Sequence, residues 1–428
     1  MDTKTLTVAL IGAGNRGQGY TNIMSENNRF KVIAVAEPVK EERDYIKNKH
    51  GIKDEMCFDS WEQLLARPKF ADVVIIATTD RMHYAPAMKA IELGYNLLLE
   101  KPAAPTAEEC VAIANAAKKK GVKVLVCHVL RYTPFFGKIK QMIDDGKLGK
   151  VLSIHHMECV GNIHQSHSFV RGNWGNAEKS APMILAKSCH DVDMIQWLIG
   201  SPCTSVQSYG ALSYFKRENA PEGAPERCID GCPYAETCHY NSVKLYLEDE
   251  KNLWFREAAT KDKNPSNERV ERALRETQYG KCVFKCDNDV VDHQVVNMEF
   301  ANSAVASFNM CAFTYNGRFI RVMGTEGELT GDGDRNLIEY FSFKTREHET
   351  ISTSDKLMTG SITDGHGGGD RGIVNTLYEY LTVGCKSDLL SEIGISTENH
   401  LIAFAAEKSR LEHRVINMDD YKKEIGLI

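Results

Sequence analysis

The apolar positions change rhythm once along the chain. Up to about residue 128 they come as short unbroken runs, Leu6–Ile11, Val32–Ala36, Asp72–Ala77 and Asn96–Leu99, which is the pattern of strands buried on both faces. Between them lie helical stretches, about 40–50, 61–65 and 84–93, and a longer one that Thr106 caps, that runs through Lys119 and that Gly121 stops. Val122–Cys127 reads as the next strand. Strand and helix in alternation predict a doubly wound parallel sheet. Farther on, Val151–Cys159 and Gln294–Ala312 are longer and alternate in polarity, predicting an open, mostly antiparallel sheet. A polar insert, rich in Glu, Lys, Asn and Pro, runs from about 215 to 286 with a helical piece around 241–250, and Thr397–Leu411 predicts a tail helix packed on the second domain. The expected fold is α/β: an N-terminal Rossmann domain over 1–128, then an α/β domain with the open sheet over 129–428.

A chain of 428 residues suits two domains. The net charge of -6 and the absence of a basic tract argue against a nucleic-acid or anionic-membrane surface. No run reaches membrane-span length, and the first residues lead straight into a strand without a leader pattern, so a cytoplasmic location is expected. Cys57, Cys110, Cys127, Cys159 and Cys311 sit in apolar segments and read as small hydrophobes.

The first strand ends in Gly12-Ala13-Gly14-Asn15-Arg16-Gly17, and the second ends on an acid, Glu37. This is the G-x-G-x-x-G pattern in its strand-to-helix setting. Gly12 permits the tight turn, Gly14 lets backbone approach a pyrophosphate, and Gly17 lets the helix pack close, aiming its amides, with those of Asn15 and Arg16, at phosphate. Glu37 is placed to accept from adenosine ribose hydroxyls and to repel a 2'-phosphate, which favours NAD over NADP. Thr78-Thr79 end the Asp72–Ala77 strand, and Glu100-Lys101-Pro102 end the Asn96–Leu99 strand, at the sheet edge where ligands lie in such folds. Lys101 is thereby placed to reach both nicotinamide and substrate.

In the second domain, Lys187, His190, Met194 and Trp197 fall on one stripe of a helix, bordered by Asp193. Arg171-Gly172-Asn173-Trp174-Gly175 combines a planar cation with an aromatic surface suited to a sugar. Gly365-His366-Gly367-Gly368-Gly369-Asp370 sets His366 and Asp370 in a backbone that a ligand can approach. His293, after Asp292, is a further substrate candidate. Within the insert, Cys228, Cys232 and Cys238, with Cys282 or alternatively Cys286, form a candidate structural zinc clamp. An iron–sulfur centre, a disulfide and free thiols stand beside it as alternatives.

The glycine loop, Thr78-Thr79 followed by His83, Glu100-Lys101-Pro102, Arg131-Tyr132-x-Pro134 and His190-x-x-Asp193, in that order, resemble the Gfo/Idh/MocA oxidoreductases. The resemblance implies NAD(P) chemistry on a sugar, polyol or sugar derivative and a homo-oligomer, dimer or tetramer, built on the second domain's sheet. It implies that Thr78, Thr79, His83 and Glu100 serve the cofactor, that Lys101 stands beside the reacting hydroxyl, and that His190 contacts or deprotonates it. The chain departs from the family at Ala186, where an aspartate is common, and Lys187 is expected to substitute for it. The leading expectation is an NAD-dependent carbohydrate dehydrogenase. An NAD-dependent glycoside hydrolase, working by transient oxidation of a ring hydroxyl and elimination with His293 or His366 as second base, is the alternative from the same motifs. A non-enzymatic NAD-bound sensor is the third.

Overall fold

The computed structural model describes residues 4–26, 28–315, 317–354, 365–384 and 390–427, the side chains of 365 and 366 excepted. Six strands, β1 (Leu6–Ile11), β2 (Phe30–Ala36), β3 (Cys57–Phe58), β4 (Val73–Ile76), β5 (Asn96–Leu99) and β6 (Val124–Val126), pair in parallel in the order β3-β2-β1-β4-β5-β6. Every residue of β4 is buried, because helices cover both faces and leave no place for a polar position. The strand order reverses between β1 and β4, which opens a crevice at their carboxyl ends.

The second sheet holds β7 (Val151–Cys159), β8 (Cys203–Ala211), β9 (His293–Phe300), β10 (Val305–Cys311), β11 (Gly317–Gly324), β12 (Gly327–Asp332), β13 (Leu337–Ser342), β14 (His348–Ser352) and β15 (Ile416–Asn417). Their order is β14-β13-β12-β11-β7-β10-β9-β8-β15, antiparallel apart from the β7–β10 pair. Alternate residues of β9 and β10 are buried, so one face carries the core and the other stays open. The open face presents Met157 and Phe319 beside a cavity of about 580 Å³.

Three elements differ from the sequence expectation. The run 294–312 is a hairpin, broken where Ser303 adopts a left-handed φ of 67°. The tail helix, Ile393–Glu412, packs on β8 and on the Cys189–Ile199 helix, and equally on the Ala107–Lys120 helix of the first domain. The helix Gly369–Thr382 lies along Asn15–Met24, and Ile373, Val374 and Leu377 complete the core under the first sheet. The chain therefore returns to its first domain after building its second.

Candidate active site

The glycine loop is built as its spacing requires. Gly12 has a φ of +89°, and a Cβ there would meet the Ala77 carbonyl oxygen at 2.6 Å; one on Gly17 would meet the Gly12 carbonyl oxygen at 2.1 Å. Gly14 faces open space, with nothing within 4 Å of a built Cβ, so the helix Asn15–Met24 offers its first amides to an anion. Glu37 accepts from Ala13 N–H at 2.8 Å and Val39 N–H at 2.9 Å, holding the end of β2 against the loop. These residues fit a dinucleotide: the glycine loop and helix start would hold the pyrophosphate, and Glu37 marks the ribose end.

Arg16 is turned inward. Its guanidinium bonds Glu100 Oε1 at 2.7 Å and grips both oxygens of Asp370, at 3.0 and 2.7 Å. Asp370 is therefore a clamp on the glycine loop instead of the expected sugar ligand. Glu100 also accepts from Tyr20 Oη and from the Lys101 N–H. Burial opposes its charge, but Arg16, Lys101 and these hydrogen bonds hold Glu100 below the usual carboxylate range. His83, fully buried, spans the Pro102 and Thr78 carbonyl oxygens at 2.7 and 3.1 Å, and so braces the ends of β4 and β5. Thr78 Oγ1 donates to the Met82 carbonyl, whereas Thr79 is exposed in the crevice.

The Lys101–Pro102 bond is cis, and Lys101 Nζ donates to the Ala186 carbonyl at 2.8 Å. That contact joins the first domain to the segment leading into the Cys189–Ile199 helix. His190, in the first turn, is buried with its ring edge-on to His128, centroids 5.9 Å apart. Lys187 is not on this helix: it follows a separate short turn, Met183–Ala186, and its Nζ pairs with Glu158 at 3.1 Å. Arg318 bonds the same carboxylate at 2.6 Å and Asp191 at 2.8 Å, and His156 also meets Asp191 at 2.8 Å. Lys187, Glu158, Arg318, Asp191 and His156 form one connected polar chain. Burial opposes the charge on Asp191, yet Arg318 and His156 hold its carboxyl below the ordinary range.

Beside Lys187 lies His164. Burial, then the Lys187 charge, lowers its pKa to about 3, so it is neutral. Its ring meets Trp254 at 5.3 Å and Phe169 at 5.9 Å, and Phe169 meets Trp174 at 6.0 Å. Trp174 Nε1 donates to Asp80 at 3.1 Å, next to Thr79. An aromatic wall thus runs from the Lys187 network to the end of β4. Of this group the sequence pattern marks only Trp174. Glu158 carried a signal, an acid at a buried position of an alternating strand, but Trp254 and Arg318 reach the site from distant segments and carried none.

Several expected ligands lie elsewhere. Arg171 is 1 % exposed and donates to the Lys281 and Tyr240 carbonyls at 2.8 and 2.7 Å, so it fastens the insert and not a sugar. Asp193, wholly buried, takes a bidentate bond from Arg131 at 2.7 and 2.6 Å. It holds the helix to the end of β6 and is not open to substrate. His293 bonds Asp292, whose other oxygen caps Ser213 and Tyr214. The side chain of His366 lies outside the described residues. Cys228, Cys232, Cys238 and Cys282 line one cavity of about 20 Å³ with Tyr234 and Phe284. They are free thiols, as is Cys286, and among the described residues no group of three or more His, Cys, Asp or Glu is arranged to hold a metal ion. The zinc expectation is not supported; aromatic packing around Phe215, Tyr240 and Phe284, with Arg171, clamps the insert instead.

Fold and crevice together define an oxidoreductase class built on an NAD-binding Rossmann domain. Residues 6–128 match the model of the oxidoreductase family's NAD-binding Rossmann fold, and 140–405 match that of its C-terminal α/β domain. The chain belongs to the Gfo/Idh/MocA oxidoreductase family. It is 27% identical over 335 residues to the protein YteT of Bacillus subtilis, covering 76% of each chain. It is 27% identical over 205 residues to the scyllo-inositol 2-dehydrogenase (NAD(+)) of the same organism, covering 48% of this chain and 57% of that one. It is 28% identical over 199 residues to a 2,7-anhydro-N-acetylneuraminate hydratase of Mediterraneibacter gnavus, covering 46% and 50%. The last two matches span about half the length of those relatives. A levoglucosan dehydrogenase solved with NADH and levoglucosan shares the fold, with a TM-score of 0.70 over 97% of this chain and 100% of that one at 19% identity.

Proposed function

We propose that the protein is an NAD-dependent oxidoreductase acting on a carbinol carbon of a sugar, polyol or glycoside. The carrying observation is the placement of Lys101: at the end of β5, in the crevice of the glycine loop, with its amine against the chain that leads into His190. The similarity to a scyllo-inositol dehydrogenase supports the substrate class. Bound NAD supplies the hydride acceptor. Hydride loss leaves positive charge on carbon, so a group that takes the hydroxyl proton as the hydride departs lowers the barrier. Lys101 and His190 are the residues assigned to that proton, and Lys187, fixed by Glu158, orients the neighbouring hydroxyl. Trp174 offers a flat apolar face to the sugar ring, and Thr79 lines the nicotinamide end. Glu37, beside the ribose, favours NAD over NADP. Residues 1–128 would serve the cofactor and 129–428 the substrate and a homo-oligomer contact on the open sheet face, in the cytoplasm. Among the described residues no helix is long and apolar enough to cross a membrane.

The test is Lys101→Met. Turnover should fall about a thousandfold, within the range for a general acid or base, while NADH binding persists by fluorescence. Unchanged turnover would remove Lys101 from the chemistry, whereas NADH binding without turnover in the wild type would favour a sensor. A second reading, glycoside cleavage or rearrangement with the cofactor restored each cycle, is favoured by the similarity to the anhydro-sugar hydratase.

A further inference from the structure

One segment of the insert touches the glycine loop. Lys263, between the helices Leu253–Thr260 and Asn267–Glu276, donates from Nζ to Asn15 Oδ1 at 3.3 Å. The two residues are 248 positions apart, and Asn15 begins the helix whose first amides face the pyrophosphate position.

The loop that carries Lys263 is fixed in place. Arg256, buried, donates to the Tyr246, Leu247 and Pro265 carbonyls and to Asn267 Oδ1, at 2.7 to 3.2 Å. Phe255 stacks on His167 with centroids 3.9 Å apart and planes 5° from parallel. Within the loop, Asp262 pairs with Arg269, and Glu257 takes Lys263 Nζ at 3.1 Å and the Asn264 N–H at 3.3 Å. Lys261 and Asn264 hold left-handed φ values of 62° and 48°. A backbone this constrained presents its lysine at one place.

That place carries a second cation. Lys261 and Lys263 both act on the Glu42 carboxyl of the first domain, pulling against the burial and the Glu37 charge that push it up, and of the two it is Lys263 that touches the glycine loop, at Asn15. In the same loop, next to Asn15, Gly14 leaves open space. A cation over a helix start that faces empty volume is the arrangement that neutralises a diphosphate.

We infer that the insert is a cofactor clamp: Lys263, with Lys261 beside it, closes over the glycine loop and binds the diphosphate of the dinucleotide, so that NAD is held between the two domains. This rests on the dinucleotide reading of the glycine loop. Phosphate oxygens would replace Asn15 Oδ1 as the acceptor of Lys263, and Glu257 would keep the amine oriented. The clamp slows escape of the cofactor more than its entry.

The experiment measures binding of NAD, ADP and adenosine to the full-length protein by calorimetry, and NADH release by stopped-flow fluorescence, for the wild type, Lys263→Ala and Lys263→Arg. Lys263→Ala should weaken NAD and ADP about tenfold, as expected for one lost charged contact, and speed NADH release by a similar factor. Adenosine, which has no phosphate, should bind both proteins alike, which also shows that the variant is folded. Lys263→Arg should restore most of the loss. Equal NAD and ADP affinities in wild type and Lys263→Ala would overturn the clamp alone. Failure of the wild type to bind NAD or ADP at all would overturn the dinucleotide reading with it.

Discussion

Asp193 accepts two hydrogen bonds from Arg131 and one from Asn399 in a place no water reaches. Removing its charge strands a buried guanidinium, and breaking such a pair costs about 3 kcal/mol or more. Asp193→Asn should therefore lower unfolding stability by that amount in urea titration while leaving the substrate KM of the folded fraction unchanged. A raised KM with unchanged stability would return Asp193 to the substrate. In the sequence Lys187 falls on the stripe of His190 and Asp193 borders it, because helical spacing alone places them. Spacing could not show that the helix begins only at Cys189, nor that Arg131, Glu158 and Arg318 arrive from the turn after β6, from β7 and from β11 to take up the charges. The glycine loop and Glu100-Lys101-Pro102 were legible because their chemistry is local, fixed by a strand end and the turn after it.

At the scale of elements, the strands of the first sheet were readable because each is an unbroken apolar run. The 294–312 hairpin was not, since Asn302 and Ser303 interrupt an alternation that resumes in phase. Nor was the π-helical segment Gln165–Arg171, which bends the chain so that His167 lies on Phe255 and holds the insert. This contact and the tail helix make stability depend on pH. Burial lowers His164, His167 and His400 to about 3, with Lys187, Arg171 and His128 respectively adding to the effect. Each is neutral when folded and protonates near 6.5 when unfolded, so its contribution is present in full above pH 6.5 and is lost as pH falls from there toward 3. Each histidine should then cost ~1.4 kcal/mol per pH unit in that window. Urea unfolding at pH 7, 6 and 5 should show a steep loss on acidification, reduced by His167→Phe. A flat profile between pH 7 and 5 would contradict the buried neutral histidines.

For the whole molecule, the crevice is assembled from parts separated widely in sequence. The first domain supplies the glycine loop and Lys101, the second supplies His190 and Lys187, and Asp370 returns from beyond the second sheet to secure Arg16. The insert adds the aromatic wall at Trp254 and the lysine at Asn15. A cofactor enclosed from two sides suits either net oxidation or a cycle that restores NAD, and the two differ in one observable. The measurement that decides it is a panel of sugars, polyols and glycosides with purified protein and NAD, following NADH absorbance and aglycone release together. NADH should accumulate with one substrate class and without aglycone release. Aglycone release without net NADH would contradict the dehydrogenase and favour the restored-cofactor cycle, and a protein that binds NAD but yields neither NADH nor aglycone with any member of the panel would contradict both.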